Sequence, residues 1–253
     1  MKHQLVLAGL TALLTLTSVT AQTATPTQPP PVAAPKAPPQ KPDVAAVKYK
    51  GTNVDSGFLI NHSNFVKTAQ SGQVDLLFLG DSITAGWRGQ KAIWEKSFGT
   101  YKPANFGIGG DRTQHVLWRI TNGELDGIKP KAAVLMIGTN NSGNDGAEAI
   151  ADGVTRIVQT IRQKSPATKI LLLAIFPRGE KPNPTREKLK QVNGILAKLD
   201  DGKNIHFLDI GDKFLQPDGL LTREIMPDFL HLSAKGYQIW ADATSDKVAE
   251  LMK

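Results

Sequence analysis

A serine closing an apolar run, and an aspartate three residues ahead of a histidine near the C-terminus, are the residues whose types and spacing suit nucleophilic chemistry. The serine is Ser82, in Leu76-Leu77-Phe78-Leu79-Gly80-Asp81-Ser82-Ile83-Thr84. The run from Val74 to Leu79 is apolar except for Asp75, the composition of a strand buried on both faces, and it ends abruptly in Gly-Asp-Ser. Ser82 is thereby placed at the carboxyl end of a central strand, the edge where open parallel sheets bind ligands. A helix beginning there would aim its free N–H groups and dipole at the serine oxygen. Gly-Asp-Ser is also good turn chemistry and serine a good helix cap, so the stretch alone leaves a capping serine and a nucleophile both open.

A nucleophilic serine needs a base, and the chain offers His3, His62, His115, His206 and His231. His3 falls in the leader discussed below, His62 precedes the sheet, His115 lies one turn into a helix and His206 within a strand. His231 stands in Asp228-Phe229-Leu230-His231, in a loop just before the final helix. That spacing permits Asp228 to accept from one imidazole nitrogen while the other faces the serine, fixing the tautomer and stabilising imidazolium as the base takes a proton. A lone Asp-x-x-His is also an ordinary loop-to-helix cap.

Acyl transfer further requires donors for a developing oxyanion. Asn105-Phe106-Gly107-Ile108-Gly109-Gly110-Asp111-Arg112-Thr113 follows one strand and Gly138-Thr139-Asn140-Asn141 the next. In a parallel sheet both lie on the edge that carries Ser82. The glycines invite a dinucleotide reading, but the third required glycine would fall at Arg112 and the loop follows the second strand. They can instead let the backbone present an N–H to negative charge, with an Asn side chain as a second donor. Convergence of these loops with Ser82 and Asp228-x-x-His231 favours the catalytic reading. Asp81 is expected to fasten its turn through backbone hydrogen bonds, and Thr84 to pack or cap. Asp111 and Arg112 border the pocket or form a loop ion pair, and Asn141 is loop structure.

The elements that must position these residues alternate. Ala104 to Ile108, Ala132 to Ile137, Ile170 to Ile175 and Ile205 to Leu208 read as further strands. Ile150, Val154, Ile157, Val158 and Ile161 form one helical face, and Leu189, Val192, Leu196 and Leu199 another. Tyr237, Trp240, Ala241, Val248 and Leu251 mark a closing helix capped by Ser233. Five strands interleaved with helices predict an α/β doubly wound parallel sheet. Trp118 and Trp240 are read as packing.

Lys2, the apolar run Leu5 to Leu16 and the small residues up to Ala21 read as a secretory signal over 1–21, too short for a bilayer span. Residues 22–47, dominated by Pro, Ala, Thr and Gln, read as a disordered tether. Residues 48–253, about 200, suit one domain. The absence of cysteine removes disulfides, zinc-thiolate sites and a cysteine nucleophile. The net charge of +7 is scattered among acids, which favours a solvated surface over nucleic-acid binding.

Gly80-Asp81-Ser82, the Gly110 turn, Gly138-Thr139-Asn140 and Asp228-x-x-His231 resemble, in order, the four blocks of the SGNH, or GDSL, hydrolases. More closely, Asn105 to Asp111, Leu117-Trp118-Arg119, Asn122-Gly123-Glu124-Leu125, Pro177 to Pro184 and Asp228 to Leu232 resemble the catalytic subunits of intracellular platelet-activating factor acetylhydrolase. The similarity spans about Val74 to Lys253. It implies a flavodoxin-like three-layer α/β/α sandwich with a five-stranded parallel sheet. It also implies Ser82 as nucleophile, His231 as general base and acid with Asp228 as partner, and an oxyanion hole from the Ser82 and Gly110 N–H groups and the Asn140 side chain. No metal or cofactor is implied, and a homodimer is admitted.

The leader departs from that intracellular relative and argues against inheriting its lipid substrate. By analogy with exported members, the expectation is a secreted or periplasmic esterase for short-chain, above all acetyl, esters, with a carbohydrate O-acetylesterase as the specific form. A lysophospholipase or lipid acetylhydrolase ranks below it for want of a long apolar lid. A noncatalytic ester- or glycan-binding protein is disfavoured by the intact Ser82, Asp228 and His231.

Overall fold

The computed structural model describes residue 1 and residues 37–253. Of the expected leader over 1–21 and tether over 22–47, residues 2–36 lie outside the described residues. The expected tether does not extend through 37–47, where the backbone finds fixed partners on the domain. Thr113 Oγ1 donates to the Pro42 carbonyl at 2.8 Å and the Ala46 N–H to the Gln114 carbonyl at 3.1 Å. Gln40 binds both His115 and the Val47 carbonyl. Proline content lowers the ordering cost of such a strap instead of preventing its docking.

From the strap the chain enters a two-residue-per-strand hairpin, β1 (Tyr49–Lys50) and β2 (Asn53–Val54), then α1 (Ser56–Gln70), capped by Asp55. There follow β3 (Leu76–Gly80), the single-turn α2 (Ser82–Ala85), α3 (Lys91–Phe98), β4 (Pro103–Gly107), α4 (Thr113–Arg119) and β5 (Ala132–Met136). The chain closes with α5 (Ala147–Lys164), β6 (Lys169–Leu173), α6 (Pro184–Leu196), β7 (Ile205–Leu208) and α7 (Ala234–Leu251). The sheet is parallel with five strands in the order β4-β3-β5-β6-β7. Numbered within the sheet this is 2-1-3-4-5, whose direction reverses between β3 and β5 and so opens a crevice beyond their carboxyl ends.

Alternation along the strands builds two cores. Leu77, Leu79, Ala133, Leu135, Ile170 and Leu172 face α1, α4, α5 and α6, while Leu76, Phe78, Val134, Met136, Leu171 and Leu173 face α3 and α7. All five residues of the expected α5 face are buried; on α6, Leu189, Val192 and Leu196 are buried, and Leu199, in the tighter turn that follows, is packed at the edge. Trp240 is fully buried among aromatic rings, and Trp118 packs on Phe58 and His62, so both serve packing. Ser233 caps α7 through the Gly236 N–H. Strand ends shift by one or two residues from the sequence expectation because pairing stops where the chains diverge into the loops of the crevice. Among the described residues no helix is long and apolar enough to cross a membrane.

Candidate active site

Asp81, not Ser82, caps the turn after β3. Its Oδ1 accepts the Ile83 N–H at 2.9 Å, which leaves the Ser82 hydroxyl free to point elsewhere. The helix expected to begin at Ser82 does so, but it is a single turn continued by a tighter one over Gly86–Gly89, so its macrodipole is small. Two other elements hold this turn in place. Tyr237 from α7 donates its hydroxyl to the Ile83 carbonyl at 2.6 Å, and Asn105 Nδ2 donates to the Thr84 carbonyl at 2.9 Å. Glycine is required at Gly107, where a Cβ would stand 2.3 Å from the Ala85 nitrogen and 2.8 Å from the Asp81 carbonyl oxygen.

Ser82 Oγ lies 2.9 Å from His231 Nε2, and His231 Nδ1 lies 2.7 Å from Asp228 Oδ2. Asp228 Oδ1 also accepts the N–H groups of Leu230, at 3.1 Å, and His231, at 2.7 Å. Wrapping both backbone donors round one carboxylate turns Phe229 into the left-handed region at φ 59°, a strain of about 1 kcal/mol or more stored between the acid and the imidazole. Desolvation works to raise the Asp228 pKa, but the hydrogen bonds from His231 and Leu230 prevail and hold it at about 2. Asp228 is therefore an anion at neutral pH. The Phe229 carbonyl accepts the Gly179 N–H at 2.8 Å, and Arg178 Nη1 reaches the Thr139 carbonyl at 3.2 Å, so the loop after β6 ties the histidine loop to the Asn140 turn.

The three expected oxyanion donors stand in loops at one edge of the sheet, after β3, β4 and β5. Gly110 has φ +73°, and among the described residues its N–H has no backbone partner. Ser82 opens α2 and so has no carbonyl one turn back to which its N–H could donate. Asn140 Nδ2 donates one hydrogen to the Asp111 carbonyl at 2.8 Å, which orients the amide and leaves its second hydrogen available. Asn141 is wholly buried and holds Thr113, Gln114 and Asp145 together, as loop structure.

Beneath the loop is a network that residue spacing does not disclose. Arg119, fully buried, donates from Nε to Asp111 Oδ2 at 2.9 Å, from Nη1 to Glu124, and from Nη2 to the Phe106 carbonyl at 3.0 Å and the Gly80 carbonyl at 3.3 Å. Glu124 is bound in turn by His62 Nδ1 at 3.0 Å. The sequence signal for it is an arginine three residues after Val116 on the inward stripe of α4, where a charge must find partners. Asp111 is thus an ion-pair residue, not a wall of the pocket. Burial raises its pKa to about 6 despite the cations of Arg119 and Lys48, and burial likewise raises Asp81 to about 7, its Oδ2 having no hydrogen-bond partner. His115 is held down to about 3 by burial and the surrounding cations; it accepts the Arg112 N–H on Nδ1 and, being neutral, donates from Nε2 to Gln40.

A serine hydroxyl bonded to an imidazole that a carboxylate orients, with amide donors beside it, can attack a carbonyl and hold the resulting oxyanion. Comparison with known proteins agrees. The model of the GDSL-like Lipase/Acylhydrolase family matches residues 78–239. Platelet-activating factor acetylhydrolase IB subunit alpha2 of Rattus norvegicus is 43% identical over 196 residues, covering 76% of this chain and 85% of that relative. A solved Streptococcus pneumonia structure named for platelet activating factor superposes with TM-score 0.63 at 25% identity, over 76% of this chain and 94% of that one. A carbohydrate acetylesterase from Sinorhizobium meliloti shares the fold with TM-score 0.56 at 22% identity, over 70% and 99%. With the family model spanning most of the domain and a relative this similar, the chain belongs to the GDSL-like lipase/acylhydrolase family and is an ester-hydrolysing enzyme of the three-layer α/β/α fold.

Proposed function

We propose that the chain is an exported serine esterase selective for short acyl groups, acetyl above all, working through an acyl-serine intermediate. The observation that carries the mechanism is the continuous hydrogen-bonded chain from Ser82 Oγ through His231 to Asp228. Ser82 Oγ attacks the ester carbonyl while His231 Nε2 takes its proton, and Asp228 stabilises the imidazolium. The oxyanion of the tetrahedral intermediate is bound by the N–H groups of Ser82 and Gly110 and the free Asn140 Nδ2 hydrogen. Collapse breaks the bond to the alcohol oxygen, which leaves with the proton from His231. Water, deprotonated by the same imidazole, then releases the acid and restores Ser82.

Acetyl selectivity is supported by the names of relatives of two kinds, an acetylhydrolase at 43% identity and a carbohydrate acetylesterase of like fold. Two observations argue for different alcohol halves. The N-terminal leader favours an acetylated glycan met outside the cytoplasm, secreted or periplasmic. The 43% identity to a platelet-activating factor acetylhydrolase subunit favours an acetylated ether lipid.

The experiment is hydrolysis of p-nitrophenyl esters from acetyl to long acyl chains, beside Ser82→Ala, followed by acetyl release from acetylated xylan and from an acetylated ether lipid. Acetyl-selective turnover lost in Ser82→Ala, with xylan the better natural substrate, is the expected result. Preference for the ether lipid would replace the glycan reading, and turnover surviving Ser82→Ala would overturn the mechanism.

A further inference from the structure

The loop that carries Gly110 has two successive exposed glycines, Gly109 and Gly110, and glycine loops do not hold an N–H in one direction unaided. We propose that Lys48, at the end of the N-terminal strap, is the positioning residue that clamps this loop and so aims the Gly110 N–H at the reacting carbonyl. This rests on the acyl-serine reading of the site.

Lys48 Nζ donates to the Gly109 carbonyl and stands 3.6 Å from Asp111 Oδ1. Its ammonium also occupies the side of Gly110 where a side chain would begin: a Cβ built there would be 3.1 Å from Nζ and 3.7 Å from Cε. Arg119 holds the other oxygen of Asp111 from below, so the three-residue loop is gripped between a cation above and a cation beneath. The Lys48 side chain is only 15% exposed, and Asp111 is fully buried. The grip is transmitted to a rigid frame, because the Lys48 carbonyl accepts the Asp55 N–H at 2.8 Å and the Val47 carbonyl accepts Gln40 Nε2 at 2.7 Å. The hairpin of β1 and β2 follows at once. A fixed ammonium beside the donor further favours negative charge developing there, an effect present in the transition state and absent from the neutral ester.

The test is steady-state hydrolysis of p-nitrophenyl acetate by Lys48→Met and Lys48→Arg, each checked by circular dichroism and thermal melting. Lys48→Met is expected to lower kcat about 10- to 100-fold, less than deletion of an oxyanion donor, with KM changed less than about threefold. Lys48→Arg, which keeps the charge and a donor for Gly109, is expected to restore most of the loss. In Lys48→Met combined with Asn140→Ala the losses should multiply to less than the product of the single effects, since both act on one oxyanion. Should Lys48→Met not fold, Lys48→Gln carries the same comparison. A kcat within about twofold of the parent, a loss confined to KM, or no rescue by arginine overturns the proposal. A parent inert toward every ester would instead overturn the reading on which it rests.

Discussion

Ser82 and His231 are separated by 149 positions in the chain and by 2.9 Å in space, Oγ to Nε2. The contact exists because β3 delivers Ser82 to the crevice edge while α7, packed on the opposite face of the sheet from α4 and α5, brings the loop before it to the same edge. Tyr237 joins the two directly, binding the Ile83 carbonyl from one turn into α7. The geometry makes the following outcomes expected.

Asp228→Asn keeps the shape of the loop but replaces the anion facing His231 with an amide that favours the wrong tautomer. In a serine protease with the same constellation the equivalent change costs about four orders of magnitude in kcat. Here Asp228 and His231 are about half exposed, at 55% and 46%, so water takes over part of the role and a fall of about 100- to 1000-fold is expected. Steady-state kinetics at neutral pH, with KM nearly unchanged, is the check.

Asn140→Ala removes one of the proposed oxyanion donors and also the bond that ties the turn after β5 to the Asp111 carbonyl. The first loss should lower kcat by roughly 100- to 1000-fold, and the second should lower stability by about 1 kcal/mol. Kinetics and denaturant unfolding on the same preparation separate the two; a kcat unaltered within a factor of a few would remove Asn140 from the site.

Arg119 is the sole guanidinium reaching Asp111 and Glu124 among the described residues, and both carboxylates are buried. Arg119→Met leaves buried Asp111 with Lys48 alone and buried Glu124 with His62 alone, and breaking a buried ion pair from one side costs about 3 to 5 kcal/mol. The melting temperature should fall by roughly 10 °C at pH 8 and by less at pH 5, where Asp111 can take up a proton. An equal loss at both pH values would mean that the acids are not the source of the instability.

Asp81 gives the domain a stability that falls as pH rises. Its pKa is about 7 in the folded state and 3.8 in the unfolded one, so the folded state binds the extra proton between those values. The contribution of this group is complete below about pH 4, is lost progressively up to about pH 7, and is constant above. Asp111, raised to about 6, acts in the same sense. One such group changes stability by at most about 1.4 kcal/mol per pH unit. Asp81→Asn, which keeps an oxygen for the Ile83 N–H, should therefore flatten the melting-temperature profile between pH 5 and pH 8 relative to the parent. An unchanged slope would show that Asp81 does not titrate in that window.

The periodicities of the chain suffice for its central strands and its long C-terminal helices, because β3, β5 and β6 each have a run of apolar residues long enough to be buried on both faces and α5 and α6 each a single apolar stripe. They suffice also for which loops meet: parallel strands put their carboxyl ends on one edge, so Ser82, Gly110 and Asn140 had to be neighbours, and Asp228 and His231 are close by their spacing alone. Whether Ser82 was a cap or a free hydroxyl depended on competition with Asp81 for one N–H, which adjacent residues of similar capping strength leave undecided until the turn is built. The strap over 37–47 was hidden because composition describes what a segment cannot bury by itself, not the partners a folded domain offers it. Arg119 with Glu124, His62 and Lys48 come from three separate stretches and meet only when α1, α4 and the strap are packed around the Asp111 loop. The order of strands and the types of reacting groups are local properties of the chain; the aim of those groups is a property of contacts between distant segments, and the folded domain alone decides it.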